Sequence, residues 1–266
     1  MKAAVYRVPG RSHEDHLTAM ARGLSTHGLR VEYFEAAPAA DADFAVVWSW
    51  RVGLRIRPVF SGPILVMERG YLGDRFHWTS LGWDGLNGRA RFARVDDSSR
   101  FDEHFGGMLA PWRPGGGYAL IAGQVVGDTA LIGIDILKWY RQIGVELWRQ
   151  GWDVKFRQHP VEVQRGVAPP HVSFAERLEG DPTAALSGAG LVVTYNSNFA
   201  TDALMAGVPV HAQDQGSIVY DLASHDLQVV RPDRKARLEE LAWRQFSRDE
   251  ISTGAAWEVV KEAMHA

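Results

Sequence analysis

Residues 188–210 read GAGLVVTYNSNFATDALMAGVPV. Leu191–Tyr195 is an apolar, β-branched run too short for a helix, so it predicts a buried strand. The strand runs out into Asn196, Ser197 and Asn198. A helix follows at once over Phe199–Ala206, and Gly207 is its stop. Val208-Pro209-Val210 then opens another short strand. A strand, a helix and a strand in so few residues is the unit of a parallel sheet, and ligands of open parallel sheets sit at the carboxyl ends of the strands. Backbone N–H groups at the helix start, the positive end of its dipole and the Asn and Ser side chains suit an anion such as a diphosphate. The same residue types are ordinary caps elsewhere. Asp202, one turn in, either accepts from ribose hydroxyls or only complements the dipole.

Outward from this unit the alternation continues. Tyr118–Ala122 predicts a strand, and Gln124, Gly127 and Asp128 lie in the loop that leaves it. A helix over 135–150 carries Ile136, Tyr140, Ile143 and Leu147 on one face. Val154 and Phe156 alternate in the next strand, which ends at Arg157-Gln158-His159-Pro160. Arginine or histidine there can neutralise a departing diphosphate without a metal; His159 can equally be a turn residue bonded to backbone. Pro111–Gly117 reads as a boundary. Before it, strands are expected over Ala3–Val8 (closed by Pro9-Gly10), Val31–Phe34, Phe44–Trp48 and Ile64–Met67. The helix between the first two starts at Ser12 and ends at Gly28. The stretch from Gly70 to Arg100, rich in Gly, Asp, Asn and Ser, reads as long loops. At the other end, Ser247-x-x-Glu250 is a capping box for a last helix with Trp257, Val260 and Met264 inward.

The chain has 266 residues, 46% of them hydrophobic, enough for one large domain or two Rossmann-sized ones. It has no cysteine, which removes disulfides, thiolate zinc sites and a cysteine nucleophile, and fits a reducing cytoplasm. No run approaches the roughly 18 apolar residues of a membrane helix, and the N-terminal run reads as a strand, not a signal peptide. There is no P-loop, no GxGxxG after the first strand, no HExxH and no GxSxG. Asp41-Ala42-Asp43 precedes a strand and reads as a polar turn, so no metal is expected.

Net charge is −3, which gives no global argument for nucleic acid. Locally, Ser49–Val95 holds eight arginines, no lysine and three acids, with seven aromatics interleaved. Arginine forks bind phosphates and aromatics stack on bases. The stretch is either a solvated face over core aromatics or a polyanion surface. In the second case Trp50, Arg69, Arg75, Arg89, Arg91 and Arg94 would meet the polyanion. Trp48, Trp50 and Trp83 are the tryptophans expected in a cleft.

Residues 188–210, together with LIAGQVVGD (120–128) and FRQHP (156–160) in matching order, resemble the nucleotide-sugar half of glycosyltransferase-B enzymes. The similarity is to the capsular-polysaccharide, Kdo-transferase-like group and to glycosyltransferase-like proteins of phages. ERGYLGDRFHWTSLGWDGLNGRARF (68–92) resembles the phage proteins. The resemblance implies two Rossmann-like α/β domains facing a cleft, 1–113 for the acceptor and 114–246 for the donor. A C-terminal helix, 247–266, would brace the first. It implies a cytoplasmic, metal-independent transferase, a monomer or weak dimer with no membrane partner, using a nucleotide sugar, with a UDP-sugar expected. Gln124, Gly127 and Asp128 would line the donor cleft, Arg157 and His159 would meet phosphates or sugar, Asn196, Ser197 and Asn198 would hold the diphosphate, and Asp202 would take the ribose. This group often has glutamate where Asp202 stands. Phage relatives suggest double-stranded DNA with hydroxymethylated pyrimidines as acceptor, its target base flipped out. A surface polysaccharide, a small acceptor or a non-catalytic nucleotide-sugar binder remain alternatives. An inverting transfer needs a base for the acceptor hydroxyl; His13 and Glu68 are the candidates, with Asp74 and Asp84 behind them.

Overall fold

In the computed structural model, residues 1–7, 13–35 and 41–266 are described. The expected Ser12 cap, the Pro9-Gly10 turn and the end of the first strand at Val8 lie outside these residues. In chain order the elements are β1 (Lys2–Tyr6), α1 (Glu14–Thr26), β2 (Arg30–Phe34), β3 (Phe44–Trp48), α2 (Trp50–Ile56), β4 (Ile64–Arg69), β5 (Trp78–Trp83) and α3 (Ser99–His104). Then come β6 (Tyr118–Ala122), α4 (Ile136–Arg149), β7 (Val154–Arg157), α5 (Pro160–Gln164), β8 (Ala175–Leu178), α6 (Pro182–Ser187), β9 (Ala189–Thr194), α7 (Phe199–Met205) and β10 (Val210–Ala212). The last are α8 (Lys235–Ala242), β11 (Gln245–Ser247), α9 (Arg248–Thr253) and α10 (Ala255–Val260).

Two compact units result: residues 1–105 with 236–266, and residues 106–235. The division therefore falls before the Pro111–Gly117 stretch. That stretch is docked, not a free linker. Ala110 N donates to Met205 O at 2.9 Å and Arg113 N to Gly207 O at 2.9 Å. Buried Arg234 lies 3.9 Å over the Trp112 ring, donates to Leu204 O at 2.6 Å and bonds Ala110 O. A cation on the last carbonyls of α7 suits the negative end of its dipole.

The first unit is a six-stranded sheet in the order β11-β5-β4-β3-β1-β2. β1 to β4 pair in parallel, while β5 and β11 are antiparallel. The segment expected to be long loops thus contains β5, a strand buried at every position. Thr79, Ser80 and Gly82 hid it, because buried strands are expected to be apolar. Their polar atoms are satisfied inside: Thr79 Oγ1 bonds His16 Nδ1 at 2.8 Å and Ser80 Oγ donates to Arg69 O at 3.1 Å. Trp83 is core, not a cleft wall. It is 1% exposed, and its Nε1 donates to Val260 O at 2.7 Å.

The C-terminal segment braces this unit. The Ser247–Glu250 capping box is formed, but Gly254 (φ 89°) splits the expected single helix into α9 and α10. Trp257, Val260 and Met264 are buried as expected. Helix α9 crosses α1 at Gly23, where an added Cβ would collide with Ile251 O. On that face of the sheet Leu17, Met20, Phe44, Trp83 and Trp257 share one cluster; Tyr6, Val47, Ile56 and Phe60 share another on the opposite face.

The second unit is an all-parallel five-stranded sheet, β10-β9-β6-β7-β8. Helix α4 buries Ile136, Tyr140, Ile143 and Leu147, the face read from its periodicity, against this sheet. From β6 the chain moves out through β7 and β8, then returns to the other side of β6 with β9. The strand order therefore reverses between β6 and β9, the point where such sheets bind ligands. Both units are Rossmann-like. No helix among the described residues is long and apolar enough to cross a membrane.

Candidate functional site

At the reversal point of the second unit, the ends of β6 and β9 are tied by a pair of amides. Gln124 Nε2 donates to Asn196 Oδ1 at 2.8 Å, and Asn196 N donates to Gln124 Oε1 at 3.0 Å. Asn196 Nδ2 donates to Ala130 O and to Asp214 Oδ2, each at 2.9 Å. Asp214 Oδ2 also accepts from Gly216 N at 3.1 Å. The Tyr140 hydroxyl accepts from Gln124 N at 2.6 Å. Burial pushes the Tyr140 phenol well above its usual range, so it stays protonated. Gln124 is 7% and Asn196 1% exposed. This corrects two expectations: Gln124 and Asn196 do not offer their amides to a ligand. They form the frame that holds three strand-end loops, because a buried amide must be matched on every donor and acceptor.

Around this frame stand the groups that can meet a ligand. His159 caps α5, its Nδ1 accepting from Val161 N at 3.2 Å. That bond makes Nδ1 an acceptor and fixes the orientation of the ring at the strand end. The backbone-bonded reading of His159 is the one the structure shows. Gly123 permits the closeness of β6 and β7, since a Cβ there would stand 2.8 Å from Arg157 O and 3.1 Å from His159 N. The loop after β6 turns at Gly127 (φ 76°) and Asp128, whose carboxylate accepts from Ala130 N at 2.9 Å. Glu162, buried on α5, accepts from Val126 N at 2.9 Å and ties that loop to the His159 helix. Arg157 Nη2 donates to Gly180 O at 3.2 Å, and burial lowers its proton affinity against the opposing charge of Asp181.

A cavity of about 460 Å³ opens at the ends of β7 and β8. Arg157, Gln158, Pro160, Leu178, Glu179 and Gly180 line it. Gln158 is 3% exposed; its Nε2 donates to Val167 O at 2.9 Å, and its Oε1 has no hydrogen-bond partner. At the start of α7, Ser197 Oγ accepts from Phe199 N at 3.2 Å and so serves the helix itself. Asn198 is the N-cap residue, and half-buried Asp202 stands in the first turn. Sequence reading missed Tyr140 as an anchor, Glu162, Asp214 and the Gln158 cavity. The run Gln213-Asp214-Gln215-Gly216, polar residues at a third strand end, was the available signal for Asp214.

The first unit brings a different set to the ends of β1, β3 and β4. His13 stands at the N-cap position of α1 without a side-chain capping bond, and its ring stacks on Trp48 at 5.2 Å and 5°. His16, not singled out in the sequence, packs on the same indole at 4.9 Å. Burial, then the charges of Arg248 and Arg69, lowers His16 to about 4, so it is neutral. Arg69 lies 5.4 Å over Trp48 and 4.6 Å over Phe76, a ring 71% exposed. Glu68 precedes it, half-buried at the end of β4. Ser49 follows β3 with φ 74°, a strained backbone for a residue with a side chain.

The other arginines divide. Arg91 is committed to structure. It pairs with Asp84 and donates to Ala263 O at 2.9 Å and Ala266 O at 2.7 Å. Arg57 shares the same Asp84 carboxylate. Asp84 is therefore a clamp, not a base. Arg89 and Arg94 are exposed, and Arg75 and Trp50 are half-buried. Asp41 and Asp43 are both engaged by Lys2, the side chain of Asp41 at 2.6 Å from its Nζ and that of Asp43 at 2.6 Å from its N. Among the described residues no three His, Asp or Glu side chains cluster as a metal site would require.

No protein-family model matches this sequence, and no curated protein sequence matches it. Solved structures do. The Thermosulfurimonas dismutans KpsC β-Kdo 2,4-transferase aligns with a TM-score of 0.63 at 15% identity, covering 93% of this chain and 92% of that one. The KpsC β-Kdo 2,7-transferase of the same organism aligns with a TM-score of 0.59 at 14% identity, covering 97% and 99%. At such identities the likeness is one of fold: two Rossmann-like units of the glycosyltransferase-B type, as the resemblance implied.

Proposed function

We propose that the chain is a nucleotide-sugar-dependent glycosyltransferase whose donor binds at the reversal point of the second unit. The observation that supports this most directly is the Gln124–Asn196 frame, which joins the ends of β6 and β9 at that reversal point and fixes the loop that leads into α7. In this reading the nucleobase enters the cavity beside Gln158, whose free Oε1 accepts from a ring N–H or amine. His159 Nε2–H and the Asn198 end of α7 take the diphosphate or phosphate, and Asp202 takes the ribose. Neutral hydrogen bonds aimed at a departing phosphate stabilise charge as it develops, with no metal required. Asp128 is the carboxylate on the donor side. On the acceptor side His13, held flat on Trp48, is the better base than Glu68, because stacking fixes its ring.

A glycan or small acceptor is favoured over DNA. Of the arginines expected to meet DNA, Arg91 is engaged with Asp84 and the C-terminal carbonyls while Arg89 and Arg94 are exposed, so the likeness to the KpsC domains, not the arginines, sets this preference. Because the KpsC domains are named β-Kdo transferases, nucleotide-activated Kdo is the first donor to try. The test is a mass-spectrometric assay with a panel of nucleotide sugars, oligosaccharide acceptors and DNA carrying 5-hydroxymethylpyrimidines. A mass gain on an oligosaccharide, falling about 10²-fold in His159→Ala, supports the reading. A gain only on the modified DNA restores the DNA acceptor. No gain and no nucleotide binding overturns the proposal.

A further inference from the structure

Half-buried Arg69 ends β4 in the first unit with an uncommitted guanidinium. Its Cζ lies 5.4 Å over the Trp48 ring and 4.6 Å over the Phe76 ring. Such contacts engage the face of the guanidinium, while its five N–H donors lie in its plane. Among the described residues none of those donors has a hydrogen-bond or ion-pair partner. Arg57, Arg91 and Arg100 of the same unit are all joined to carboxylates. Alternation along β4 decides which way Arg69 faces. Leu65 and Met67 join the cluster under α1, whereas Ile64 and Val66 join the cluster on the opposite face. Arg69 continues the first set, and its cross-strand partner Thr79 bonds His16 of α1. Glu68 continues the second set, so the acid next to Arg69 in sequence stands on the other face of the sheet.

The surroundings hold Arg69 in place. Phe76 is an exposed ring on a fixed loop. Its N–H donates to Asp74 Oδ1 at 2.8 Å. Buried Gln245 accepts from Tyr71 N at 2.5 Å and Leu72 N at 2.9 Å, and donates to Leu72 O at 3.1 Å. Trp48 also carries His13, stacked at 5.2 Å, so the guanidinium and the imidazole rest on one indole. The local charge is positive. Arg248 and Arg69 both act on His16 and lower it, opposed by Asp15. That Asp15 is itself paired with Arg248 at 3.6 Å, and the Asp74 carboxylate serves the Phe76 N–H. A stacked, unpaired guanidinium at the carboxyl end of a parallel strand, with the nearby acids occupied elsewhere, points to an anion.

We propose that Arg69 binds an anionic group, a carboxylate or a phosphate, carried by the acceptor sugar. This names the acceptor class of the transferase proposed above and rests on that reading. The guanidinium fork meets two oxygens of one acidic group at once, and its rotamer freedom is already restricted by the two rings, so little further ordering opposes binding. With the acid docked on Arg69, a hydroxyl of the same acceptor can lie at His13 on the shared indole. The site offers one arginine, not a track of them. Trp50, expected beside Arg69, packs with the cluster on the opposite face, and Arg91 is tied to Asp84. A single acidic group therefore fits better than a nucleic-acid backbone, which needs several cations in a row. Arg69 sets acceptor specificity and touches no reacting atom.

The experiment measures binding to the whole protein by calorimetry, without donor, for matched probes. A uronate oligosaccharide is compared with its carboxyl-reduced form, and a sugar phosphate with the free sugar; nucleotide binding is measured separately. The expected result is a preference of about tenfold or more for one acidic probe over its neutral match, and the arm that shows it tells carboxylate from phosphate. Arg69→Gln should bind both members of that pair alike, and Arg69→Lys, which keeps the charge but not the fork, should retain part of the preference. Phe76→Ala removes only an exposed ring and should weaken the preference with the fold intact, checked by melting. No preference in the wild type, or a preference that survives Arg69→Gln, overturns the site while nucleotide binding leaves the transferase reading standing. Tighter binding of a DNA duplex than of either acidic probe, lost in Arg69→Gln, overturns the sugar acceptor. An acid preference that depends on Arg69 without any nucleotide binding supports the anion site and overturns the transferase reading.

Discussion

The two units hold their critical loops by opposite chemistry. The second joins its strand ends with neutral amides, Gln124 against Asn196. The first pins its 70–105 segment and its C-terminal strap with guanidinium groups. Arg91 joins Asp84 to the last carbonyls of the chain. Arg100 is 7% exposed and forks onto Glu250. It also donates to Ala242 O at 2.8 Å and Gln245 O at 2.9 Å, among Trp78, Trp243 and Phe246. An amide pair carries no charge and is indifferent to pH and salt. A guanidinium clamp reaches more acceptors at once, but it is only as good as its carboxylate. The difference teaches that an arginine-rich, aromatic-rich stretch can be an internal clamp as readily as a nucleic-acid surface.

The largest effect expected follows from breaking the clamp. Arg100→Met strands Glu250 and two carbonyls in the interior, and is expected to cost about 3–5 kcal/mol. Burial would raise Glu250, but Arg100 and the Ser247 N–H overcome it and hold the carboxyl below its ordinary 4.5. The clamp's contribution is thus complete above pH 4.5 and is lost as pH falls through the folded value. Urea unfolding of wild type and variant across pH 3 to 7 checks both points; equal stability at pH 7 refutes the clamp. Next is the strap itself. Gly23→Ala drives a methyl into Ile251 O, and overpacking of that kind costs about 3 kcal/mol. A thermal melt reads it, and an unchanged midpoint means that α1 and α9 are not held as closely as described.

Breaking the amide frame tests the other half of the comparison. Gln124→Leu keeps the volume but leaves Asn196 N and Oδ1 buried without partners, at about 2 kcal/mol. The loops after β6 and β9, the second leading into α7, should then loosen, weakening nucleotide binding at least tenfold by calorimetry, whereas Arg100→Met should leave the intrinsic affinity of the folded protein unchanged. If both variants bind nucleotide equally, the frame has no part in the site.

How far the sequence spoke also differs between the units. In the second, β6, α4, β7, β9, α7 and β10 were all legible, because buried parallel strands are apolar runs and α4 keeps its period. β8 was not. Ala175–Leu178 is a half-exposed edge carrying Glu176 and Arg177, and its pattern is that of a loop. In the first unit β5 was hidden by Thr79, Ser80 and Gly82, whose partners, His16 and the Arg69 carbonyl, are far away in sequence. Site residues followed the same rule. His159 and Asn198 stood out as polar residues at strand and helix ends. That Asn196 faces Gln124, or that Arg91 turns to Ala263, depends on contacts 72 and 172 residues apart. No local pattern carries such contacts.

The last effect expected is one in which the units behave alike. Each buries one neutral histidine, His16 on Trp48 and His211 on β10, and each is lowered from 6.5 to about 4. Between these values the unfolded chain binds protons that the folded chain refuses, so stability rises with pH across this window. It is complete above about pH 6.5, declines as pH falls toward 4, and levels below that. His16→Gln and His211→Gln should each flatten part of this slope in urea titrations from pH 7 to 4, and the double variant should flatten both parts. A slope untouched by either substitution would mean that both imidazoles titrate as they do in water.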